Sequence, residues 1–135
     1  RDAMSLRENA SEIMNVLGEH IAEVALRPER LVAALARARA EGAEVLDRLE
    51  RFVTGQARLG WHRPQAGLIG LARVAGTDGE SLARALLAPP YRTFQLPGSA
   101  YGLPQHIRIG AGGGPETRLE EGLGRLSALL SSGLI

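Results

Sequence analysis

"QHIRIGAGGG", residues 105–114, sets a short apolar alternation against a run with four glycines in its last five positions. Side chains on a strand point alternately to opposite faces. Ile107 and Ile109 therefore share one face, and His106, Arg108 and Gly110 share the other. If the isoleucines enter a core, Arg108 projects from the opposite face, beside a glycine whose missing side chain leaves open space. A planar fork of donors beside cleared space suits a carboxylate, which it grips with two parallel charge-assisted hydrogen bonds. Taken alone, the pattern more often marks an arginine paired with a structural glutamate or one whose head snorkels to water.

Working outward, residues 67–74, "GLIGLARV", are apolar on both alternating sets, as a strand covered on both faces would be. "RTFQL", 92–96, reads as another strand, and together with 106–110 it flanks the turn-rich "PGSAYGLP", 97–104. Thr77 with Glu80 reads as a capping box opening a short helix through Leu82 and Leu86, which Pro89 and Pro90 stop. Pro115 starts a last helix with Leu119, Leu123, Leu126 and Leu130 along one side, ending near Gly133.

Two helices come first. Asn9 with Glu12 reads as a capping-box variant, and Ile13, Met14, Leu17, Ile21, Val24 and Ala25 recur at helical spacing up to about Leu26. Pro28 then opens a second helix whose stripe runs through Leu31, Val32, Leu35, Ala38, Val45, Leu46, Leu49, Phe52 and Val53 to Gly55. At about 25 residues and ~40 Å, it is too long for a domain this small to cover end to end. Glu44 with Arg48 and Asp47 with Arg51 stand at i,i+4 on its other face, as expected of a solvated surface. The order predicts an α+β fold: a small mixed or antiparallel sheet of about three strands packed against helices, preceded by a long helix.

Composition narrows the chemistry. The 135 residues are 44% apolar and 23% charged, enough to bury the core of one domain. No window approaches the roughly 18 apolar residues of a membrane span, so the expectation is a soluble cytoplasmic protein without a membrane partner. A net charge of +1, with basic and acidic residues interleaved, gives no reason to expect nucleic acid. Cysteine is absent, which removes disulfides and thiolate chemistry. His20, His62 and His106 are far apart in sequence, an arrangement that does not suggest a metal site.

All sixteen basic residues are arginine. Without a lysine there is no side-chain Schiff base and no P-loop, and "GAGGGPE", 110–116, lacks the spacing of an established phosphate loop. It reads as a strand-to-helix connection. Ser99 in "PGSAYG" does not match the G-x-S-x-G elbow and has no histidine near it in sequence, so a hydrolase is rejected. Trp61 and Phe52, and with them Tyr91 and Tyr101, are the usual material of a core.

Taken in order, "HRPQAGLIGLARV", "DGESLARALL", "FQLPGSAYG", "HIRIGAG" and "EEGLGRLSALL" resemble the C-terminal small domain of class I/II aminotransferases, fold-type-I enzymes that use pyridoxal 5′-phosphate. The resemblance covers about residues 28–132, with helix 28–53 as the element joining large and small domains; residues 1–27 before it would be the end of the large domain or its connection. It implies that Arg108 binds the α-carboxylate of an amino acid or 2-oxo acid. The family's Phe in Pro-Gly-x-x-Phe-Gly is Tyr101 here.

In that family the large domain holds the cofactor on a lysine. The resemblance therefore implies that residues 1–135 are the C-terminal part of a longer chain, inactive alone and dimeric when whole. Related fold-type-I enzymes share this small domain, among them decarboxylases, acyl-transferring synthases and natural-product cyclases. A non-catalytic helical interaction module, using helix 28–53 as its surface, is the alternative from another class.

Overall fold

The computed structural model describes residues 16–110 and 116–133. Within them four α-helices accompany a three-stranded sheet: α1 (Val16–Ala25), α2 (Pro28–Thr54), β1 (Leu59–Trp61), β2 (Ile69–Val74), α3 (Gly79–Leu87), β3 (His106–Gly110) and α4 (Glu116–Ser131). A 3-10 turn, Gly98–Tyr101, lies between α3 and β3. Contacts divide the chain into two units, with the division between Ala40 and Glu41, inside α2.

In the second unit the sheet is antiparallel throughout, in the order β1-β2-β3. Its pleat sorts the side chains. On β2, Ala72 and Val74 are buried while Ile69 and Arg73 are exposed, and on β3 Ile107 and Ile109 are buried. The buried set meets Leu49 and Val53 of α2, Leu82 and Leu86 of α3, and Leu126, Leu129 and Leu130 of α4 in one core. Helices thus cover one face of the sheet, which is why each shows one apolar stripe. Phe52, Trp61 and Tyr91 pack against this core, as their composition suggests.

The apolar stripe of α2 divides at mid-helix: Leu46, Leu49 and Val53 are buried, whereas Val32 is 68% and Leu35 45% exposed. On α1, Leu17 and Ile21 are exposed as well. The long helix is indeed not covered along its length.

Three local expectations are corrected. Residues 92–96 form no strand: Arg92 takes a left-handed φ of 45°, and in place of a ladder with β3 there is an isolated bridge from the next residue, Pro97, to Ile107 and a hydrogen bond from the Arg108 N–H to the Leu96 carbonyl. The third strand is instead β1, on the other side of β2. Second, the cap of α3 is Asp78 rather than Thr77. The Asp78 carboxylate accepts from the Ser81 backbone N–H and from the Ser81 hydroxyl, both at 2.8 Å. Glu80 turns outward to accept from Arg84 at 3.3 Å and from the Ser99 hydroxyl at 3.2 Å.

Third, Asp47 pairs at 2.6 Å with Arg63 of the β1–β2 connection rather than with Arg51, because the hairpin brings that arginine over the helix. Glu44 and Arg48 do pair, at 2.9 Å. The Asn9–Glu12 box, the glycines at 112–114 and Pro115 lie outside the described residues.

Candidate functional site

The face of the sheet away from the helices carries the polar groups. Register places Leu71 opposite Arg108 and Arg73 opposite His106. As the alternation predicts, Arg108 stands on the face opposite the buried isoleucines. Its backbone is pinned along the outer edge of β3, where its N–H donates to the Leu96 carbonyl at 3.0 Å and its carbonyl accepts from the Gln95 side-chain amide. The segment expected as a strand therefore serves as a brace for β3.

Arg108 is half-buried as a residue, and it lines a cleft of about 550 Å³. Apolar groups of Pro64, Ile69 and Leu71 line it, with His62 and Tyr101 as its other polar side chains. Nη1 of Arg108 donates to the Tyr101 hydroxyl at 3.2 Å. Among the described residues no carboxylate pairs with Arg108. A cation held by a neutral partner at an apolar cleft keeps donors for an incoming anion, and a carboxylate is the group whose geometry matches its fork.

Gly110 does not open the space expected of it. It lies opposite Ile69, and a Cβ there would stand 3.0 Å from both Ile69 Cγ1 and the Leu68 carbonyl oxygen. Its role is close approach between β3 and β2. The room beside Arg108 comes from the cleft between the β1–β2 hairpin and the 3-10 turn.

A second cleft of about 370 Å³ on the same face is lined by Arg58, Arg73, His62 and His106, among others. Arg58 is committed to the backbone, donating to the Ala75 carbonyl at 3.0 Å and the Leu130 carbonyl at 3.4 Å. The contribution of His62 to both clefts was not anticipated. The signal was the alternation in "LGWH", 59–62, which puts Gly60 and His62 on the same face as Leu71 and Arg108 once β1 is recognised as a strand.

No family model matches the chain, and no curated protein matches it. Solved structures do. A PLP-dependent aminotransferase from Streptococcus suis superposes with a TM-score of 0.79 at 21% identity, covering 94% of this chain and 33% of its own. The aspartate aminotransferase from Rhizobium meliloti gives 0.75 at 19% identity over 93% of this chain and 34% of its own. The PLP-dependent cyclase OrfR gives 0.74 at 27% identity, again over 93% and 34%.

The chain has the aminotransferase small-domain fold. It spans about a third of the length of these solved structures. Among the described residues no helix is long and apolar enough to cross a membrane.

Proposed function

We propose that this chain is the small domain of a PLP-dependent aminotransferase, which moves an amino group between an amino acid and a 2-oxo acid, and that Arg108 binds the substrate α-carboxylate. One observation carries the reading: on the helix-free face of a small-domain sheet, Arg108 overhangs a cleft with a neutral tyrosine as its side-chain partner. An arginine placed for structure alone would normally be matched to an acid or turned to water.

The residues present do not fit the cofactor itself. With no lysine in the sequence, nothing here forms the covalent link that pyridoxal phosphate enzymes use, so the cofactor belongs to a large domain outside these residues. The contribution of this domain is orientation. Two hydrogen bonds to the carboxylate fix the substrate's Cα against rotation, and a correctly held reactant has much of its entropic barrier removed in advance. The exposed stripes of α1 and α2, including Leu17, Ile21 and Val32, suit cover by that large domain or by a second subunit of a homodimer.

A second reading is the small domain of a PLP-dependent cyclase, favoured by the 27% identity to OrfR against 19% and 21% for the two aminotransferases. Incubating the full-length enzyme with an amino acid and a 2-oxo acid separates the two, because only transamination releases a new 2-oxo acid. Replacing Arg108 with Ala in that enzyme tests the carboxylate site under either reading. The expected result is a KM for the amino acid raised at least about a hundredfold, the loss of two charge-assisted bonds, and an unchanged KM rejects the assignment.

A further inference from the structure

The hydroxyl of Tyr101 is the side-chain partner of Arg108 in this structure, and it touches a particular corner of the guanidinium. Nη1 is the nitrogen on the Cδ side of the fork. Engaging it leaves free the edge formed by Nε–H and Nη2–H, two parallel donors matched to the two oxygens of a carboxylate.

The ring is itself placed by backbone rather than by chance packing. Tyr101 ends the 3-10 turn Gly98–Tyr101, closed by Gly102 in a left-handed conformation with φ of 73°. At the head of that turn, Gly98 lies so near β3 that a Cβ there would stand 2.6 Å from the His106 carbonyl oxygen. Pro97 bridges Ile107, and the Leu103 N–H donates to the Gly98 carbonyl at 2.9 Å. The turn bearing the phenol is thus docked on the strand bearing the guanidinium, and the side chains meet on the open face.

A phenol suits this task better than an acid would. As a neutral acceptor it holds the arginine without cancelling its charge, so the electrostatic attraction for an anion stays available. A glutamate at the same place would compete with the substrate. A phenylalanine, which the resemblance puts at this position in aminotransferases, would leave the fork to rotate.

We propose that Tyr101 is a positioning residue for substrate binding, holding Arg108 so that its Nε–Nη2 edge faces the cleft and takes the substrate α-carboxylate side-on. This rests on the reading of Arg108 as the carboxylate-binding residue.

The test is a double-mutant cycle in the full-length enzyme with Tyr101→Phe, Arg108→Ala and the pair, measuring KM, kcat and inhibition by a short unreactive carboxylic acid. Tyr101→Phe is expected to raise both KM and the inhibition constant about five- to tenfold, with kcat within about twofold, the size of one ordinary net hydrogen bond. The double variant should match Arg108→Ala within about twofold, because the phenol acts only through the arginine.

An unchanged KM in Tyr101→Phe beside a raised one in Arg108→Ala overturns this proposal and leaves the carboxylate reading standing. An unchanged KM in Arg108→Ala removes both. Additive effects in the double variant would mean that Tyr101 meets the substrate directly, and a fall in kcat would place it at the chemical step; either result overturns the positioning role. The ring is 50% exposed and keeps its shape in Tyr101→Phe, so the thermal midpoint should stay within about two degrees.

Discussion

Gly79 and His106 meet backbone to backbone: a Cβ on Gly79 would stand 2.0 Å from the His106 carbonyl oxygen. The Gly79 N–H also donates to the Pro104 carbonyl at 2.8 Å, so the first residue of α3 is fastened to the start of β3. The strand that carries Arg108 is thereby held from both sides, by this helix start and by the 3-10 turn at Gly98.

Replacing Gly79 with Ala forces the helix and the strand apart. Overpacking against backbone, which cannot rotate away, is expected to cost about 3 kcal/mol or more, read as a lower urea midpoint with little change in slope. Gly124 is the control. It sits on the exposed side of α4, where an added Cβ would meet nothing within 4 Å, so Gly124→Ala should stabilise by about 0.5–1 kcal/mol. Equal effects at the two sites would contradict the close approach.

Asp78 makes the start of α3 sensitive to acid. The backbone N–H of Ser81, and then its hydroxyl, hold the Asp78 carboxyl below its ordinary value of 3.8. A depressed carboxylate contributes stability that is fully present above the unfolded value and is lost as pH falls through the folded one. Thermal midpoints of the unaltered chain and of Asp78→Ala should therefore differ most near neutrality and converge as the pH drops below 3.8. A gap that stays constant down to pH ~2 would remove the charge from the explanation and leave only the neutral cap.

How legible these elements were depended on the range of the forces that make them. Helical stripes such as Leu119, Leu123, Leu126 and Leu130 are set by a local period, and they lie against the core where expected. The Ile107 and Ile109 alternation was likewise enough to put Arg108 on the other face. Pairing is not local. "RTFQL" and "LGW" carry similar strand signals, and what separates them is the left-handed Arg92 and the hairpin that closes around Gly67 at φ of 76°. The function of Gly110, the pairing of Asp47 with Arg63 and the contact of Glu80 with Ser99 depended on neighbours far along the chain. Tyr101 and Arg108 could be named from the sequence, but their hydrogen bond needed the turn to be docked on the strand.

Leu49 tests whether α2 belongs to the same cooperative core as the sheet. It is fully buried and packs in the cluster with Ile107 and Leu129. Leu49→Ala is expected to cost about 2–5 kcal/mol, the lost transfer energy plus a cavity among side chains from three elements. Hydrogen exchange would show where the loss is felt. Protection should fall in β2 and β3 as well as in α2; a loss confined to α2 would mean that the helix unfolds separately.

Arg108→Lys separates charge from shape at the candidate site. Lysine keeps the positive charge near the cleft but is a point charge without the planar fork, and it cannot donate to the Tyr101 hydroxyl and to both oxygens of a carboxylate in one fixed plane. If attraction alone held the substrate, the lysine variant of the full-length enzyme would bind nearly as well as the unaltered protein. If the fork matters, KM should rise about tenfold, between the unaltered enzyme and Arg108→Ala, because one of two charge-assisted bonds is lost. The lysine variant should then also be indifferent to Tyr101→Phe, since the phenol no longer has a guanidinium to orient. Raising the salt concentration gives an independent reading: the lysine variant, relying on charge without geometry, should lose affinity more steeply than the arginine enzyme. Parallel salt profiles with unchanged KM would reduce Arg108 to a source of charge and leave the orientation of the guanidinium without consequence for binding.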